Sequence, residues 1–285
     1  MGISDDDVTF VVKLLREVAA FSLDSGKSYL IEARLSALAH EEGLSDPGRL
    51  IHAAKRAPAG PLARRIVEAM LTHETAFFRD LHPFETLRQP ILPELRQLRS
   101  TSRRLNILCV ACSSGQEPYS IALLLREHFP DLMTWDLRII AGDLSQAIID
   151  RAKTARFTQL EVSRGLPATM LVKYFRRIGV EWELREDVRR LVQFQTMNLT
   201  TTWPYFPQFD VIFMRNVLIY LEEAARRRIL ARARQALAPE GTLFLGSNEY
   251  MSDANEEFER VFIGKTTCFR QRVDLPPPRH TGRTR

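Results

Sequence analysis

The strongest constraint on the fold is a change of pattern near residue 105. From there on, short apolar runs rich in β-forming residues alternate with segments of helical pattern. Six runs are predicted to be strands: residues 105–112, 137–142, 192–195, 209–214, 241–246 and 266–272. Strands that alternate with helices form a mainly parallel sheet, so we predict an α/β domain over residues 105–272.

The first 72 residues have a helical pattern instead. Apolar residues recur at helical spacing over residues 8–18 and 30–38, with no β-like alternation. Three prolines mark residues 80–104 as a connecting helix or linker. We therefore predict an all-α N-terminal domain at residues 1–79, which the linker joins to the α/β domain.

One segment interrupts the alternation of strands and helices. A glycine and a proline on either side of Leu166 open a short helix, and residues 175–182 and 188–194 are predicted to pair as antiparallel strands. We interpret residues 164–192 as a small β-subdomain inserted into the sheet. Residues 273–285, rich in proline and arginine, are predicted to be disordered.

Composition and charge argue against several classes of protein. The chain has 285 residues, 45% of them apolar, but no apolar run long enough to span a membrane. Its acidic start lacks the order of a signal peptide. Three cysteines do not suit a disulfide scaffold and favour a reducing, cytoplasmic location. A net charge of +5 does not imply a basic nucleic-acid face, because more than half of the excess lies in the tail.

Cys109 and Cys112 have the spacing of a zinc-binding or redox pair. A zinc site needs two further ligands, and no second Cys or His pair follows at a suitable spacing. Since Cys109 lies in an apolar run, we interpret the pair as structural and expect no metal.

The loop at residues 111–117 is the first candidate for ligand binding. It follows the first predicted strand, and ligands of parallel sheets bind beyond the carboxyl ends of the strands. Small residues around Gly115 permit a close backbone approach. The absence of Gly-x-Gly-x-x-Gly and P-loop patterns favours a nucleoside without phosphates. A plain strand–turn–helix corner is the alternative.

Two carboxylates strengthen that interpretation. Asp143 ends the second predicted strand, where it can accept hydrogen bonds from ribose hydroxyls or, alternatively, cap a helix. Glu117 lies at the start of a helix, where its negative charge can interact favourably with the helix dipole or bind a ligand amine.

Three more segments are predicted to face the same crevice. Asn198 and Leu199 follow the third strand. The polar pair Arg215-Asn216 lies in an apolar run after the fourth strand, although buried charge is costly unless paired. Tyr220 ends this run and is equally compatible with the core. Residues 71–80 combine two aromatic side chains with an arginine, which suits either a lid over a ligand or a structural joint.

Taken together, these segments resemble the chemotaxis receptor glutamate methyltransferases, the CheR family. That family has a lid ending in Thr-x-Phe-Phe-Arg, a Cys-Ser-x-Gly-x-Glu-Pro-Tyr-Ser loop, an Asp after the second strand, and an Arg-Asn-Val-x-Ile-Tyr segment. These motifs stand here in order at residues 72–79, 112–120, 143 and 215–220. The resemblance implies a Rossmann-like class I S-adenosylmethionine methyltransferase domain with a small antiparallel β-subdomain, preceded by an all-α domain.

The resemblance also implies a cofactor and a reaction. S-adenosyl-L-methionine would give its methyl group to glutamate side chains of methyl-accepting chemotaxis receptors, leaving S-adenosyl-L-homocysteine. Arg79 and Tyr220 are expected to be catalytic, positioning the reacting groups, and Phe77 and Phe78 to help exclude water. The residues expected to contact the cofactor are His73, Thr75, Arg79, Ala111, Glu117, Asp143, Asn198, Leu199, Arg215 and Asn216.

The expected partner is the cytoplasmic domain of a receptor, with the chain acting as a monomer, without nucleic acid and without inserting into the membrane. Relatives that dock on a receptor's C-terminal pentapeptide share a Gly-rich loop, whereas residues 177–182 are shorter and contain one glycine. We therefore expect no need for the pentapeptide. The basic residues that would face an acidic receptor, unless they are simply solvated, are Lys27, Arg34, Lys55, Arg56, Arg64 and Arg65.

Two other functions compete with this one. A nucleic-acid methyltransferase is disfavoured because neither an Asn/Asp-Pro-Pro-Tyr motif nor a Cys after Pro is present. A non-catalytic cofactor-binding adaptor of a chemosensory array is disfavoured because the motifs look intact. The arginine run at residues 226–234 is either a solvated helix face or a site for an unknown partner.

Overall fold

The computed structural model describes residues 3–23, 25–204, 206–249 and 258–272. The predicted disordered tail at residues 273–285 lies outside these ranges. Within the described ranges, no helix is long and apolar enough to cross a membrane.

The N-terminal part is helical, as its apolar spacing predicts. Its helices are α1 (Asp5–Ala19), α2 (Ser28–Glu41), α3 (Pro47–Lys55) and α4 (Pro61–Met70), with a 3₁₀ turn at Ser25–Lys27. Ser4 and Asp7 form a capping box at α1, and Asp46 caps α3 directly before Pro47. The apolar faces of the helices meet in a core of their own.

The segment predicted as connecting helix or linker is helical and packed. It consists of α5 (His82–Thr86), a π-helical turn (Leu87–Ile91) and α6 (Leu92–Leu98). Phe84, Leu87 and Leu92 are buried in the main core, beside the sheet. The segment therefore belongs to the α/β core rather than spanning an open gap between two parts.

A seven-stranded sheet forms the centre of the molecule. Its strands are β1 (Arg104–Val110), β2 (Asp136–Asp143), β6 (Val192–Thr196), β7 (Phe209–Met214), β8 (Leu237–Leu245), β9 (Phe258–Ile263) and β10 (Thr266–Gln271), in the spatial order β6-β2-β1-β7-β8-β10-β9. Strands β6, β2, β1, β7 and β8 are parallel, and β10 and β9 are antiparallel additions at one edge. Helices α7 (Gln116–His128), α8 (Gln146–Thr154) and α12 (Glu223–Ala236) connect the parallel strands.

A second, antiparallel sheet has the order β3-β5-β4, from β3 (Arg156–Thr158), β4 (Phe175–Ile178) and β5 (Glu181–Leu184). Short helices α9 (Gln159–Ser163), α10 (Ala168–Tyr174) and α11 (Glu186–Arg189) surround it. The predicted pairing of residues 175–182 with 188–194 is wrong, because the hairpin turns at Gly179-Val180 and β6 belongs to the large sheet. Strand β3 was missed, and it lies before the expected range 164–192.

The predicted fold class is confirmed: a mainly parallel α/β sheet, a small antiparallel sheet and N-terminal helices. The order of the central strands reverses between β1 and β7, since β2 lies on one side of β1 and β7 on the other. In doubly wound sheets, the crevice at such a switch point is where ligands bind.

Candidate active site

A cleft lies at the carboxyl ends of the parallel strands, at this switch point. It holds about 970 Å³ of empty space, counting the part that is open to solvent. All the residues expected to contact the cofactor or to be catalytic line it: His73, Thr75, Arg79, Ala111, Glu117, Asp143, Asn198, Leu199, Arg215, Asn216 and Tyr220.

Asp143 organises the loop after β1 from the end of β2. Its carboxylate is buried and accepts hydrogen bonds from the backbone N–H groups of Ser113 (2.9 Å) and Ser145 (3.2 Å). Ala111 and Ser113 have φ angles of 52° and 50°, a left-handed conformation that non-glycine residues rarely adopt. Asp143 thus fixes a strained turn and also presents its carboxylate to the cleft.

Gly115 has a different role from the one expected. It is absent from the residues that line the cleft, and its φ angle is 93°. A Cβ atom there would lie 3.1 Å from both Phe194 and Tyr119. The glycine therefore serves the backbone turn and core packing, while Ala111, Cys112 and Ser113 form the wall of the cleft.

Arg215 and two carboxylates form an ionic network beneath the cleft. The side chain of Arg215 is 1% exposed, and its guanidinium donates to Glu117 Oε2 (3.0 Å) and to Asp80 Oδ2 (2.6 Å). Burial raises the pKa of Glu117, and the neighbouring Arg215 opposes that rise. The pairing explains how a charge is tolerated inside an apolar run.

Residues 71–80, which we call the lid segment, are tied down along their length. Arg34 of α2 donates to the carbonyl of Met70, just before the segment, and to Thr72. Ser113 Oγ donates to the carbonyl of His73, and Arg164 pairs with Glu74. The far end is held by Arg215, which donates to the carbonyl of Arg79.

Phe77 and Phe78 do not line the cleft, so the expected role in excluding water from it is wrong. The Phe77 ring packs edge-on against Phe157 and Phe175 of the small sheet, at 4.9 and 5.8 Å between centroids. Phe78 packs against Phe84, and Ser120 Oγ accepts its backbone N–H. The two rings anchor the lid segment from outside.

Asn198 and Leu199 border the cleft from the end of β6. The side-chain amide of Asn198 donates to the carbonyl of Val18 (2.8 Å), and its oxygen accepts from Thr200. This side chain is therefore engaged in fixing α1 against the loop. This bond uses one of the two N–H donors of the Asn198 amide, so the second donor and the Leu199 side chain remain for a ligand.

Tyr220 joins the cleft to the N-terminal helices. Its ring stacks on Phe21 at 5.5 Å and 9° between planes, and its carbonyl accepts the backbone N–H of Ser22. Phe21 also lines the cleft, which the sequence analysis missed. Since Phe21 follows α1 and Tyr220 follows β7, only their contact in three dimensions identifies it.

Glu249 is a second residue that the sequence analysis missed. Its carboxylate, 9% exposed, accepts backbone N–H groups of Asn216 (2.6 Å), Leu218 (2.6 Å), Ile219 (3.3 Å) and Gly246 (2.7 Å). Asn216 has a φ angle of 59°, so the turn that it begins is strained. The one available signal was an acid three residues after Gly246, the glycine that follows β8.

The thiols of Cys109 and Cys112 are buried, and burial raises the pKa of both well above its usual range. Neutral, buried thiols suit a packing role. Across the described part of the chain, no three His, Cys, Asp or Glu side chains are grouped to hold a metal ion.

The cleft fits S-adenosylmethionine by its chemistry. Asp143, at the end of β2, can accept hydrogen bonds from ribose hydroxyls, and Glu117 has a second oxygen, beside the one bonded to Arg215, that can accept from a ligand ammonium. Arg79 and Asn216 supply donors for a carboxylate. Apolar side chains for an adenine ring come from Leu144, Met197, Leu199 and Val217.

The fold and this cleft define an S-adenosylmethionine-dependent methyltransferase. The model of the CheR methyltransferase, SAM binding domain, matches residues 73–267. The chain therefore belongs to the CheR methyltransferase family, and S-adenosylmethionine is its cofactor.

Two relatives match over almost the whole length of the chain. The chain is 34% identical over 251 residues to chemotaxis protein methyltransferase Cher2 of Pseudomonas putida, covering 87% of this chain and 91% of that protein. It is 35% identical over 265 residues to chemotaxis protein methyltransferase 1 of Pseudomonas aeruginosa, covering 92% and 96%.

Proposed function

We propose that this protein transfers the methyl group of S-adenosylmethionine to glutamate side chains in the cytoplasmic domain of a chemotaxis receptor, giving methyl esters. The observation that carries the proposal is the convergence of the lid segment and four strand ends on one cleft, in a chain whose relatives are named chemotaxis protein methyltransferases. The protein would act as a cytoplasmic monomer beside the receptor.

A glutamate acceptor suits the cleft because its carboxylate needs no catalytic base. With an unperturbed pKa of about 4.3, the acceptor is already ionised at neutral pH. The bound cofactor supplies a methyl group activated by a sulfonium. The task left to the protein is to remove water from the carboxylate and to hold it in line, and such placement can lower a barrier by up to ~7–11 kcal/mol.

Arg79 and Tyr220 are the residues we assign to that placement. Both line the cleft, from opposite segments: Arg79 ends the lid motif, and Tyr220 follows β7. One Arg79 nitrogen donates to the carbonyl of Glu74, which fixes the side chain along the lid segment. Stacking on Phe21 similarly fixes the Tyr220 ring. Each side chain is thus held in place before a substrate arrives.

The basic residues expected to face a receptor fall into two groups. Lys55 pairs with Asp6 and Asp7, Arg65 with Glu41 and Glu42, and Arg34 with the start of the lid segment, so these three serve the N-terminal helices themselves. Lys27, Arg56 and Arg64 are exposed. We assign the electrostatic contact with an acidic receptor to this second group.

The small sheet supports independence from a C-terminal pentapeptide. Its hairpin turns within two residues, Gly179 and Val180, and Gly179 has a φ angle of 58°. A two-residue turn leaves no extended loop to receive a peptide. We propose that the receptor is recognised near its methylated helices instead.

The test is transfer of radiolabelled methyl groups to cytoplasmic fragments of candidate receptors, followed by alkaline release of methanol. Base-labile label on the fragments is expected, because carboxyl methyl esters hydrolyse in base. Fragments with and without the C-terminal tail should be labelled equally if the pentapeptide is not needed. The variant Asp143→Asn, which is expected to bind the cofactor poorly, provides the control for enzyme-dependent label.

Two outcomes would reject the proposal. Cofactor binding by calorimetry without transfer to any fragment would favour the non-catalytic adaptor. Label retained on nucleic acid would favour a nucleic-acid methyltransferase. If only the fragments that keep the C-terminal tail are labelled, the methyltransferase activity stands and only the independence from the pentapeptide is rejected.

A further inference from the structure

The arginine-rich helix α12 lies behind the cleft and contacts two of its loops. Three of its arginines, Arg226, Arg232 and Arg234, are half-buried, whereas Arg227 and Arg228 are exposed. Arg227 pairs with Glu223 on the helix surface. The side chains of this run therefore do not form one uniform solvated face.

Arg232 holds the loop after β6. Its guanidinium donates from Nη1 to the carbonyl of Leu199 at 2.8 Å. The indole of Trp203 donates to the same carbonyl at 3.2 Å. Leu199 lines the cleft, so the charged donor fixes a residue of the cofactor wall from behind.

Arg226 holds the loop after β7 in the same way. Its Nε donates to the carbonyl of Leu221 at 2.8 Å, directly after Tyr220. Leu221 also pairs with Phe21 through an isolated β-bridge. The donor thus fixes the segment that carries Tyr220, at the point where the N-terminal helices meet it.

The helix itself is well anchored, so these contacts constrain the loops rather than the helix. Ile229, Leu230 and Ala233 are buried in the core on the same side of the sheet as Leu237 and Leu243. A hydrogen bond from a charged donor is about twice as strong as one between neutral groups. Two such bonds from one rigid helix restrict both loops at once.

We infer that Arg226 and Arg232 are positioning residues, which brace the Tyr220 segment and the Leu199 loop against α12. Arg232 acts on cofactor affinity, since it holds the wall that Leu199 forms. Arg226 acts on turnover, since it holds the backbone next to Tyr220, and this second part rests on the proposed function. Neither role needs an external partner for the arginine run.

Arg232→Met tests the first part, because methionine keeps an apolar stem while removing the donor and the charge. Affinity for S-adenosylhomocysteine is expected to fall about tenfold, or ~1.4 kcal/mol, by calorimetry. Arg232→Lys should recover most of that loss, since lysine can donate to the same carbonyl. Arg228→Met is the matched control, which removes the same charge from an exposed position of the same helix.

Melting temperatures separate a specific effect of Arg232 on the loop from a general loss of helix stability or of positive charge. The melting temperature of Arg232→Met should stay close to that of Arg228→Met, while their affinities differ. Equal affinities in these two variants, or no recovery with lysine, would overturn the role of Arg232.

Arg226→Met tests the second part. It should lower kcat on a labelled receptor fragment about tenfold while affinity for S-adenosylhomocysteine changes less than about threefold. Unchanged kcat would overturn the role of Arg226. Wild-type protein is assayed in parallel. If the proposed function is wrong, the wild-type protein also fails to label any receptor fragment, which distinguishes that outcome from a specific effect of Arg226→Met.

Discussion

Three carboxylates shape the cleft, each through different partners. Asp143 holds the turn after β1, Glu117 pairs with Arg215, and Glu249 gathers four backbone N–H groups of two loops. A carboxylate in a low-dielectric surrounding must be paired or hydrogen-bonded. The hydrogen bonds and ion pair that these buried carboxylates require are made with the loops around the cleft, and they hold those loops in place.

Glu117 predicts a pH dependence of cofactor binding. Because burial raises its pKa above the ordinary 4.5, the folded protein takes up this proton more readily than the unfolded chain. Folding stability therefore falls as pH rises from the ordinary pKa of 4.5 through the raised pKa of Glu117. A ligand ammonium, in contrast, binds the ionised carboxylate. Affinity for S-adenosylhomocysteine should fall as pH is lowered toward this raised pKa.

Glu117→Gln should bind S-adenosylhomocysteine at least about tenfold more weakly at neutral pH, because a charged hydrogen bond is worth roughly 1.5–3 kcal/mol. Calorimetry across pH measures both effects, with the exposed Glu223→Gln as control. An unchanged pH profile in Glu117→Gln would contradict the assignment to the ammonium.

Glu249→Gln should destabilise the protein by about 2–3 kcal/mol, because an amide NH₂ would replace one acceptor oxygen among buried N–H donors. It should also weaken cofactor binding, since the strained turn at Asn216 loses its support. Denaturant unfolding and calorimetry are the measurements. Glu259→Gln, an exposed position on β9, is expected to change neither, and a wild-type result at Glu249 would show that the turn does not depend on the carboxylate.

Among the elements, the lid segment is a fixed wall rather than a free flap. Phe78 and Asp80 have φ angles of 48° and 66°, and residues in this left-handed region cost roughly 1–2 kcal/mol each. The bonds to Ser113, Ser120 and Arg215 hold this strained backbone. Gly165 permits a close approach of the segment to the small subdomain, because a Cβ there would lie 2.0 Å from the carbonyl oxygen of Phe77.

Gly165→Ala should therefore displace the lid segment. Affinity for S-adenosylhomocysteine is expected to fall about tenfold or more, or ~1.4 kcal/mol. Gly179→Ala is the matched control, since Gly179 also has a positive φ but a Cβ there meets nothing within 4 Å. Both variants should lose stability through backbone strain, and an equal loss of affinity in both would contradict a specific effect on the lid segment.

Strand prediction succeeded where burial on both faces gives a continuous apolar run. Strand β7 was predicted at its observed bounds, and β1 and β2 within two residues at each end. Prediction failed at β3 and β9, which are edge strands with alternating or mixed exposure, although β6, the other edge strand of the large sheet, was predicted within one residue. An edge strand has a weak sequence pattern because its neighbours, rather than its own residues, decide its pairing.

At the scale of the whole molecule, the N-terminal helices close one side of the cleft. Asn198 bonds to Val18, Phe21 stacks on Tyr220, and Glu68 of α4 accepts from Ser145 before α8. These contacts join the helical core to the carboxyl edge of the sheet. Cofactor binding should consequently stabilise both parts together.

S-adenosylhomocysteine at 100 times its Kd should stabilise the folded protein by ~2.7 kcal/mol, raising Tm by roughly 5–10 °C. Calorimetric unfolding should show one transition that includes the N-terminal helices. An early transition of these helices at an unshifted temperature would show that they do not share the ligand site. Asn198→Ala, which removes the bond to Val18, is expected to split this single transition into two, one for the N-terminal helices and one for the α/β domain.

The sequence by itself determined the helical start and the parallel sheet, and its motifs identified eleven of the residues that line the cleft. The fold follows from local periodicity, whereas the cleft residues follow from the resemblance of the ordered motifs to the CheR family and from polar residues at strand ends, which parallel topology must bring to one edge. The tertiary structure alone decided the roles of Phe21, Glu249 and the α12 arginines, and the commitment of Asn198 to Val18. Those contacts join residues far apart in the chain, so their energies depend on packing that no local pattern records.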